Sequence, residues 1–261
     1  YGMWRNKAVL NTYEPGSVFK IITAAVGLEE GVTDTDTPND FYCSGYELVN
    51  GVRINCWKSP GSHGSQSLRK ALMNSCNPAL MQLAKRIGAS TLYKYFRAFG
   101  LFEPTGISTS YEANSNFWSI ENVGNIELST MAFGQRFTVT PIQLITAISS
   151  IANNGVLMQP RIVKQVENAD TGAITTIDPV EVRTVLSKET CDKMLDMLED
   201  VVSDGTGYLG KVKGYNISGK TGTSEPPPGS SAYVASFVSI APTENPEIVL
   251  LVTLYGLAKY G

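Results

Sequence analysis

Histidine is nearly absent: the 261 residues contain one, His63. A Ser-His-Asp hydrolase or a multi-histidine metalloenzyme would have to be built around that imidazole, so a nucleophile in this chain needs a different base. Cysteine is scarce as well, and the four present (Cys43, Cys56, Cys76, Cys191) are too few for a disulfide scaffold in a chain of this size. Lys and Arg total 21 against 24 Asp and Glu, for a net charge of −3, with no basic block that could track phosphates. Nucleic acid is thereby disfavoured as a partner. No run approaches the roughly 18–20 apolar residues of a membrane span, and Tyr1-Gly2-Met3-Trp4 does not read as a signal peptide. What remains is a 43% apolar chain able to bury a sizeable core as one large domain or two modest ones.

The clearest helix follows Glu14-Pro15-Gly16, where Ser17 precedes Ile21, Ile22, Ala25, Val26 and Leu28, and it stops at Gly31. Residues 32–66 are rich in Gly, Pro, Ser, Asn and Asp without periodicity, which predicts a long organised loop. A helical pattern from Ser67 breaks at Ser75-Cys76-Asn77-Pro78 and resumes to Gly88, placing Ser75 and Asn77 at a helix-helix junction. Further helices are expected at 90–99, 140–153 and 187–203, the second opening on Thr140-Pro141. Strand-like runs Tyr215–Gly219, Tyr233–Ala241 and Glu247–Tyr255 follow, separated by the turn-rich Pro226-Pro227-Pro228-Gly229 and Pro242–Pro246 segments. With Ala8–Tyr13 as a further strand, the expectation is an α+β fold. Its antiparallel sheet would be built from both chain ends, with helices on its faces and a large helical subdomain.

Three motifs carry chemistry. Ser17-Val18-Phe19-Lys20 sets a hydroxyl and an amine one helical turn apart, so that a neutral lysine can take the serine proton. Burial, a position in the helix's first turn and a second cation would favour that neutral form, and Lys220 can be the cation. Ser-x-x-Lys alone says little, since Ser67-Leu68-Arg69-Lys70 matches it inside an ordinary amphipathic stretch. The company of Ser75-Cys76-Asn77 and Lys220-Thr221-Gly222-Thr223, in that order, gives it weight. Gly222 at a strand end leaves room for a ligand backbone.

Together these resemble the signature of the penicillin-recognising serine enzymes, most closely class B penicillin-binding proteins. The likeness extends to Tyr13–Ser17, to Gly134-Gln135 with Thr140-Pro141-Ile142-Gln143, and to Ile151–Gly155. It implies a cell-wall D,D-transpeptidase in which Ser17 attacks the bond between two terminal D-alanines and Lys20 is the general base. Ser75 and Lys220 would return the proton to the leaving D-alanine. The N–H groups of Ser17 and Thr223 would form the oxyanion hole, Asn77 would hold the substrate amide, and Thr221 and Thr223 its carboxylate, with Gly222 between them. It also implies peptidoglycan stem peptides as donor and acceptor, inhibition by β-lactams, a membrane glycosyltransferase partner and no cofactor for catalysis. The chain would be one transpeptidase domain, residues 1–261, excised from a protein held at the extracytoplasmic membrane face by an N-terminal anchor. Division, elongation and spore formation all stay open as settings. Rivals using the same motifs are a β-lactamase, a D,D-carboxypeptidase and a β-lactam sensor domain.

Between the first two motifs, Asp40, Cys43, Cys56 and His63 offer a carboxylate, two thiolates and an imidazole. A closed tetrahedral zinc site of these four would pin the loop insertion 32–66 in a structural role. A Cys43–Cys56 disulfide and unpaired thiols are the alternatives, with Asp36 and Cys76 as substitutes for Asp40. Cys76 otherwise reads as a packing residue and Cys191 as a buried apolar one. Tyr42, Trp57, Phe117 and Trp118 are candidates to line a substrate groove.

Overall fold

The computed structural model describes residues 5–109, 111–224 and 232–257. The Pro226-Pro227-Pro228-Gly229 turn, Tyr1–Trp4 and the last residues from Ala258 lie outside them. Asn6 caps a short helix, α1 (Lys7–Leu10), by accepting from the Ala8 amide at 3.0 Å. This local bond overrides the strand-like look of Ala8–Tyr13, of which only Tyr13 pairs, through an isolated bridge to Val139. Pro15-Gly16 then delivers the chain into a 3-10 turn, Gly16–Phe19, that runs into α2 (Lys20–Glu29), buried from Lys20 through Gly27.

Residues 32–66 are more ordered than a loop. Strand β1 (Phe41–Cys43) pairs with β4 (Gly64–Gln66), and β2 (Tyr46–Val49) forms a hairpin with β3 (Val52–Asn55). The interrupted helical pattern resolves into α3 (Leu68–Met73) and α4 (Asn77–Ile87), the junction being a Ser75 held at φ +49°. Pro78 in the first turn of α4 cannot donate to a preceding turn, which fixes where that helix starts. Helix α4 packs on α2 where Gly27 lies, at a distance that a side chain would forbid: a Cβ there would meet Leu83 Cδ1 at 2.7 Å.

The remaining helices are α5 (Ala89–Ala98), α6 (Asn125–Met131), α7 (Pro141–Ala152) and α8 (Lys188–Ser203). Helix α7 opens on a reciprocal cap between Thr140 and Gln143, and α8 on Ser187. Between them lie two small ribbons: β5 (Val156–Met158) with β8 (Glu181–Thr184), and β6 (Gln165–Glu167) with β7 (Ile174–Thr176).

The main sheet is antiparallel, from β9 (Ser218–Ser224), β10 (Tyr233–Ala241) and β11 (Ile248–Leu257) in the order β11-β10-β9. The mixed class holds. Among the described residues, however, this sheet draws on the C-terminal part alone and not on both chain ends, because the N-terminal segment turns helical. The Lys220-Thr221-Gly222 motif lies inside β9 and not at its end, and β9 is the edge strand facing the Gly16–Phe19 turn.

An aromatic cluster locks α5 to the turn that leads into α2. Phe96, fully buried, sets its ring 5.1 Å from Phe19 and 5.9 Å from Phe117, and Phe117 stacks on Phe137 at 4.6 Å. Removing the Phe96 ring should leave a cavity that this cage cannot collapse into. Phe96→Ala is expected to cost about 3–5 kcal/mol in urea unfolding, and a loss below about 1 kcal/mol would contradict this packing.

Candidate active site and cysteine cluster

Glycines bring the Gly16–Phe19 turn against the sheet edge. Gly16 sits at φ +56°, where a Cβ would lie 2.5 Å from the Thr223 carbonyl oxygen. Gly134 sits at φ +84° with its own Cβ position 2.1 Å from the Gly16 oxygen, and its carbonyl accepts from the Gly16 amide at 2.9 Å. Gly222 has the same function from the strand side: a Cβ would meet Ser236 Oγ at 2.7 Å and Val18 Cγ2 at 2.8 Å. The room it was expected to leave for a ligand backbone is thus taken up by the protein's own Val18, although Gly222 still borders the cavity.

That cavity, about 460 Å³, is walled by Ser17, Ser75, Asn77, Thr221, Gly222 and Thr223, so the three motifs meet. Trp57, Phe133, Gln135, Thr206 and Tyr233 complete the lining together with Asn55 and Cys56. Trp57 is the one groove aromatic that the sequence placed correctly. Phe117 is half-buried and packs against the core, Trp118 donates to the Arg136 carbonyl, and Tyr42 lies on β1 with its backbone held by Gln82.

Behind the wall, Lys20 and Lys220 are both fully buried. Lys20 Nζ donates to Ser75 O at 2.7 Å, Ser75 Oγ at 3.2 Å and Asn77 Oδ1 at 2.6 Å. Lys220 Nζ donates to the same Ser75 Oγ at 2.9 Å and to Thr221 O at 3.0 Å. One hydroxyl is thus shared by two amines. Burial pushes Lys20 down to about 7, against a weaker upward pull from Cys76 and Cys56. Lys220 is driven well below its ordinary value by burial and then by the charge of Lys20. An amine that is neutral near pH 7 can accept a proton, which an ordinary lysine cannot. The Ser17 hydroxyl, on the cavity side, makes no hydrogen bond among the described residues, and Lys20 spends its contacts on the Ser75 motif.

The second Ser-x-x-Lys match is architectural. Ser67 caps α3, and Arg69 binds Asp36, Asp196 and Asp200 at 2.6–2.8 Å, tying α3 to α8.

The cysteine cluster differs from the expected ligand set in one member. Cys43, Cys56, His63 and Cys76 place their ligand atoms within 4.8 Å of one another, with Cys56 Sγ 3.5 Å from His63 Nδ1. Asp40 is not among them: its carboxylate takes Arg86 Nη1 at 2.6 Å and Thr33 Oγ1 at 2.5 Å. Cys76 fills that place instead of being a mere packing residue, because the left-handed turn at Ser75 brings the start of α4 up to the 32–66 insertion. All four cysteines are free thiols, so Cys43 and Cys56 are not bonded to each other, and Cys191 is buried in α8 as expected. A hydrogen bond from Cys76 holds the Cys56 thiol low, while Cys76 is correspondingly raised, so the pair shares a proton. Burial lowers His63, favouring the neutral imidazole that binds metals. Three thiols and an imidazole form a donor set that zinc takes in closed structural sites.

The model of the penicillin-binding protein transpeptidase domain matches residues 1–260, and the chain belongs to that family. It is 38% identical over 255 residues to stage V sporulation protein D of Bacillus subtilis, covering 96% of this chain and 39% of that protein. It is 31% identical to penicillin-binding protein PbpB of Mycolicibacterium smegmatis, over 94% of this chain and again 39% of the relative. The chain therefore spans about two-fifths of the length of these curated relatives. In structure it is similar to penicillin-binding protein 3 of Mycobacterium tuberculosis in complex with aztreonam, with a TM-score of 0.88 at 29% identity, over 96% of this chain and 58% of that one.

The glycine contacts predict a sharp intolerance. Gly134→Ala combines a strained φ with a clash against backbone that cannot move aside, and should destabilise the protein by more than about 2 kcal/mol. Thermal unfolding of the variant checks this, and an unchanged midpoint would contradict the clamp.

Proposed function

We propose that this chain is the catalytic domain of a serine D,D-transpeptidase that cross-links peptidoglycan stem peptides and is blocked by β-lactams. The observation that carries the proposal is the Ser75 hydroxyl, held between two buried amines on a cavity walled by Ser17. Ser17 Oγ attacks the penultimate D-alanine carbonyl while its proton passes to neutral Lys20. The tetrahedral oxyanion is received by the N–H groups of Ser17 and Thr223, each such donor being worth about 3–4 kcal/mol in serine proteases. As the peptide C–N bond breaks, Ser75, backed by Lys220, gives its proton to the departing D-alanine amine and is reprotonated from the lysines. An amine from a second stem peptide then attacks the ester, loses its proton to the same base and releases Ser17.

Asn77 accepts from Lys20 through Oδ1, and its Nδ2, which donates one long bond to Asn55 O at 3.5 Å, has its second hydrogen for the substrate amide. Thr221 and Thr223 present hydroxyls for the terminal carboxylate. The 38% identity to a protein named for sporulation favours spore formation among the settings left open by sequence. No helix among the described residues is long and apolar enough to cross a membrane. Anchorage at the extracytoplasmic membrane face by another part of the polypeptide, with a glycosyltransferase as partner, completes the proposal on the strength of the family resemblance.

The same proposal includes zinc at Cys43, Cys56, His63 and Cys76. Bound there, the ion would hold the insertion 32–66 on the backbone between Ser75 and Asn77, and it takes no part in acyl transfer.

Intact-protein mass spectrometry with a labelled penicillin tests the chemistry. One adduct should form on the parent and none on Ser17→Ala, while Lys20→Met should slow acylation by about 10²–10⁴-fold. Because the active base is the neutral amine, the parent's acylation rate should climb with pH and level off above about 7. An adduct that persists on Ser17→Ala would move the nucleophile elsewhere. Metal analysis of protein purified without reductant should give about one zinc per chain, lost in Cys76→Ser but retained in Asp40→Asn. Retention in Cys76→Ser would contradict the assigned ligand set.

A further inference from the structure

Four buried side-chain polar atoms find no hydrogen-bond partner among the described residues: Tyr13 Oη, Gln66 Nε2, Thr206 Oγ1 and Tyr255 Oη. Only one of these residues, Thr206, borders the catalytic cavity. It belongs to no motif, lying in the Gly205-Thr206-Gly207 turn that follows α8. That turn is built tightly. A Cβ on Gly205 would fall 2.8 Å from the Val201 carbonyl oxygen and 2.9 Å from that of Met73, and one on Gly207 3.0 Å from the Val201 oxygen. The Thr206 amide donates to Met73 O at 3.0 Å and the Gly207 amide to Val201 O at 2.9 Å. The backbone is therefore fixed on both sides, and Thr206 is the only residue of the turn with a side chain beyond its Cα.

The placement of the turn matters as much as its rigidity. Met73 is two residues before Ser75, so the Met73–Thr206 bond ties the threonine to the segment that leads into Ser75, and Thr206 lines the same cavity as Ser75 and Thr221. In the proposed reaction, that cavity receives the leaving residue with its carboxylate. A hydroxyl buried without a partner is unfavourable unless something supplies one. Rotation about one side-chain bond exchanges the hydroxyl and the methyl of a threonine, so the missing partner can come from the cavity.

We propose that Thr206 is a third carboxylate-binding hydroxyl, which with Thr221 and Thr223 selects acyl donors ending in a free carboxylate. This rests on the transpeptidase reading and adds a specificity residue contributed by the α8–β9 turn. Thr206 takes no part in proton transfer; its hydroxyl donates to a carboxylate oxygen of the bound donor.

The test compares acylation of the 261-residue chain by benzylpenicillin and by its methyl ester, in which that carboxylate is masked. Thr206→Val keeps the shape and removes the hydroxyl. It should slow acylation by the free acid about ten- to a hundredfold, the usual worth of a hydrogen bond to a charged group, and leave the rate with the ester nearly unchanged. Thr206→Ser keeps the hydroxyl and should retain the parent's acid-to-ester ratio. Equal slowing of both reagents in Thr206→Val would assign the residue a structural role and overturn the proposal, as would an unchanged rate with the acid or a collapsed ratio in Thr206→Ser. A parent chain that neither reagent acylates would overturn the transpeptidase reading itself, and the proposal with it.

Discussion

One hydroxyl held by two buried amines is the constraint around which the rest of the molecule is arranged. Lys20 and Lys220 have no exposed surface and both reach Ser75 Oγ, so at most one proton can be carried comfortably between them. Each lysine binds protons more weakly in the folded chain than in the unfolded one. Below their ordinary range both therefore cost stability, and that cost shrinks as pH rises toward it. A fold selected for stability alone would not bury them this way. What the burial yields is an amine that is partly neutral near pH 7, where an ordinary lysine is fully charged.

The surroundings are explained by the need to hold that pair. Ser75 must present its hydroxyl to both amines, and it does so from a left-handed conformation that non-glycine residues adopt at a cost of about 1–3 kcal/mol. Two features hold it there: the start of α4 with Pro78, and the cysteine-histidine cluster joined to the motif through Cys76. On the other side, Gly16, Gly134 and Gly222 allow three backbones to approach where any side chain would collide. The Gly16–Phe19 turn thereby rests on the edge of β9, against the Thr223 backbone.

What was legible in the sequence was local. The spacing of Ser17 and Lys20 is a helical one, the capped helix at Thr140 follows from its first residues, and β10 runs over the Tyr233–Ala241 stretch that reads as strand-like. What was not legible depended on partners distant in the chain. Asp40 looked like a ligand by proximity in sequence, but Arg86 on α4 takes its carboxylate. Cys76 stood open as a substitute for Asp40 or as packing, because nothing local reports the turn at Ser75 that aims it at Cys43 and Cys56. The strand expected over Ala8–Tyr13 was lost to a single cap from Asn6. Thr206 carries no pattern at all; only its position against Met73 and the cavity brings it into the site.

Burial alone lowers Lys20, to about 7, so that a large share of it is the neutral amine at physiological pH. Its titration, followed by NMR on protein with isotope-labelled lysine side chains and assigned by comparison with Lys20→Arg, tests this directly. A resonance that titrates near 7, well apart from the surface lysines, is the expected result. A Lys20 signal that moves with the surface lysines, near their ordinary value of about 10.4, would contradict it.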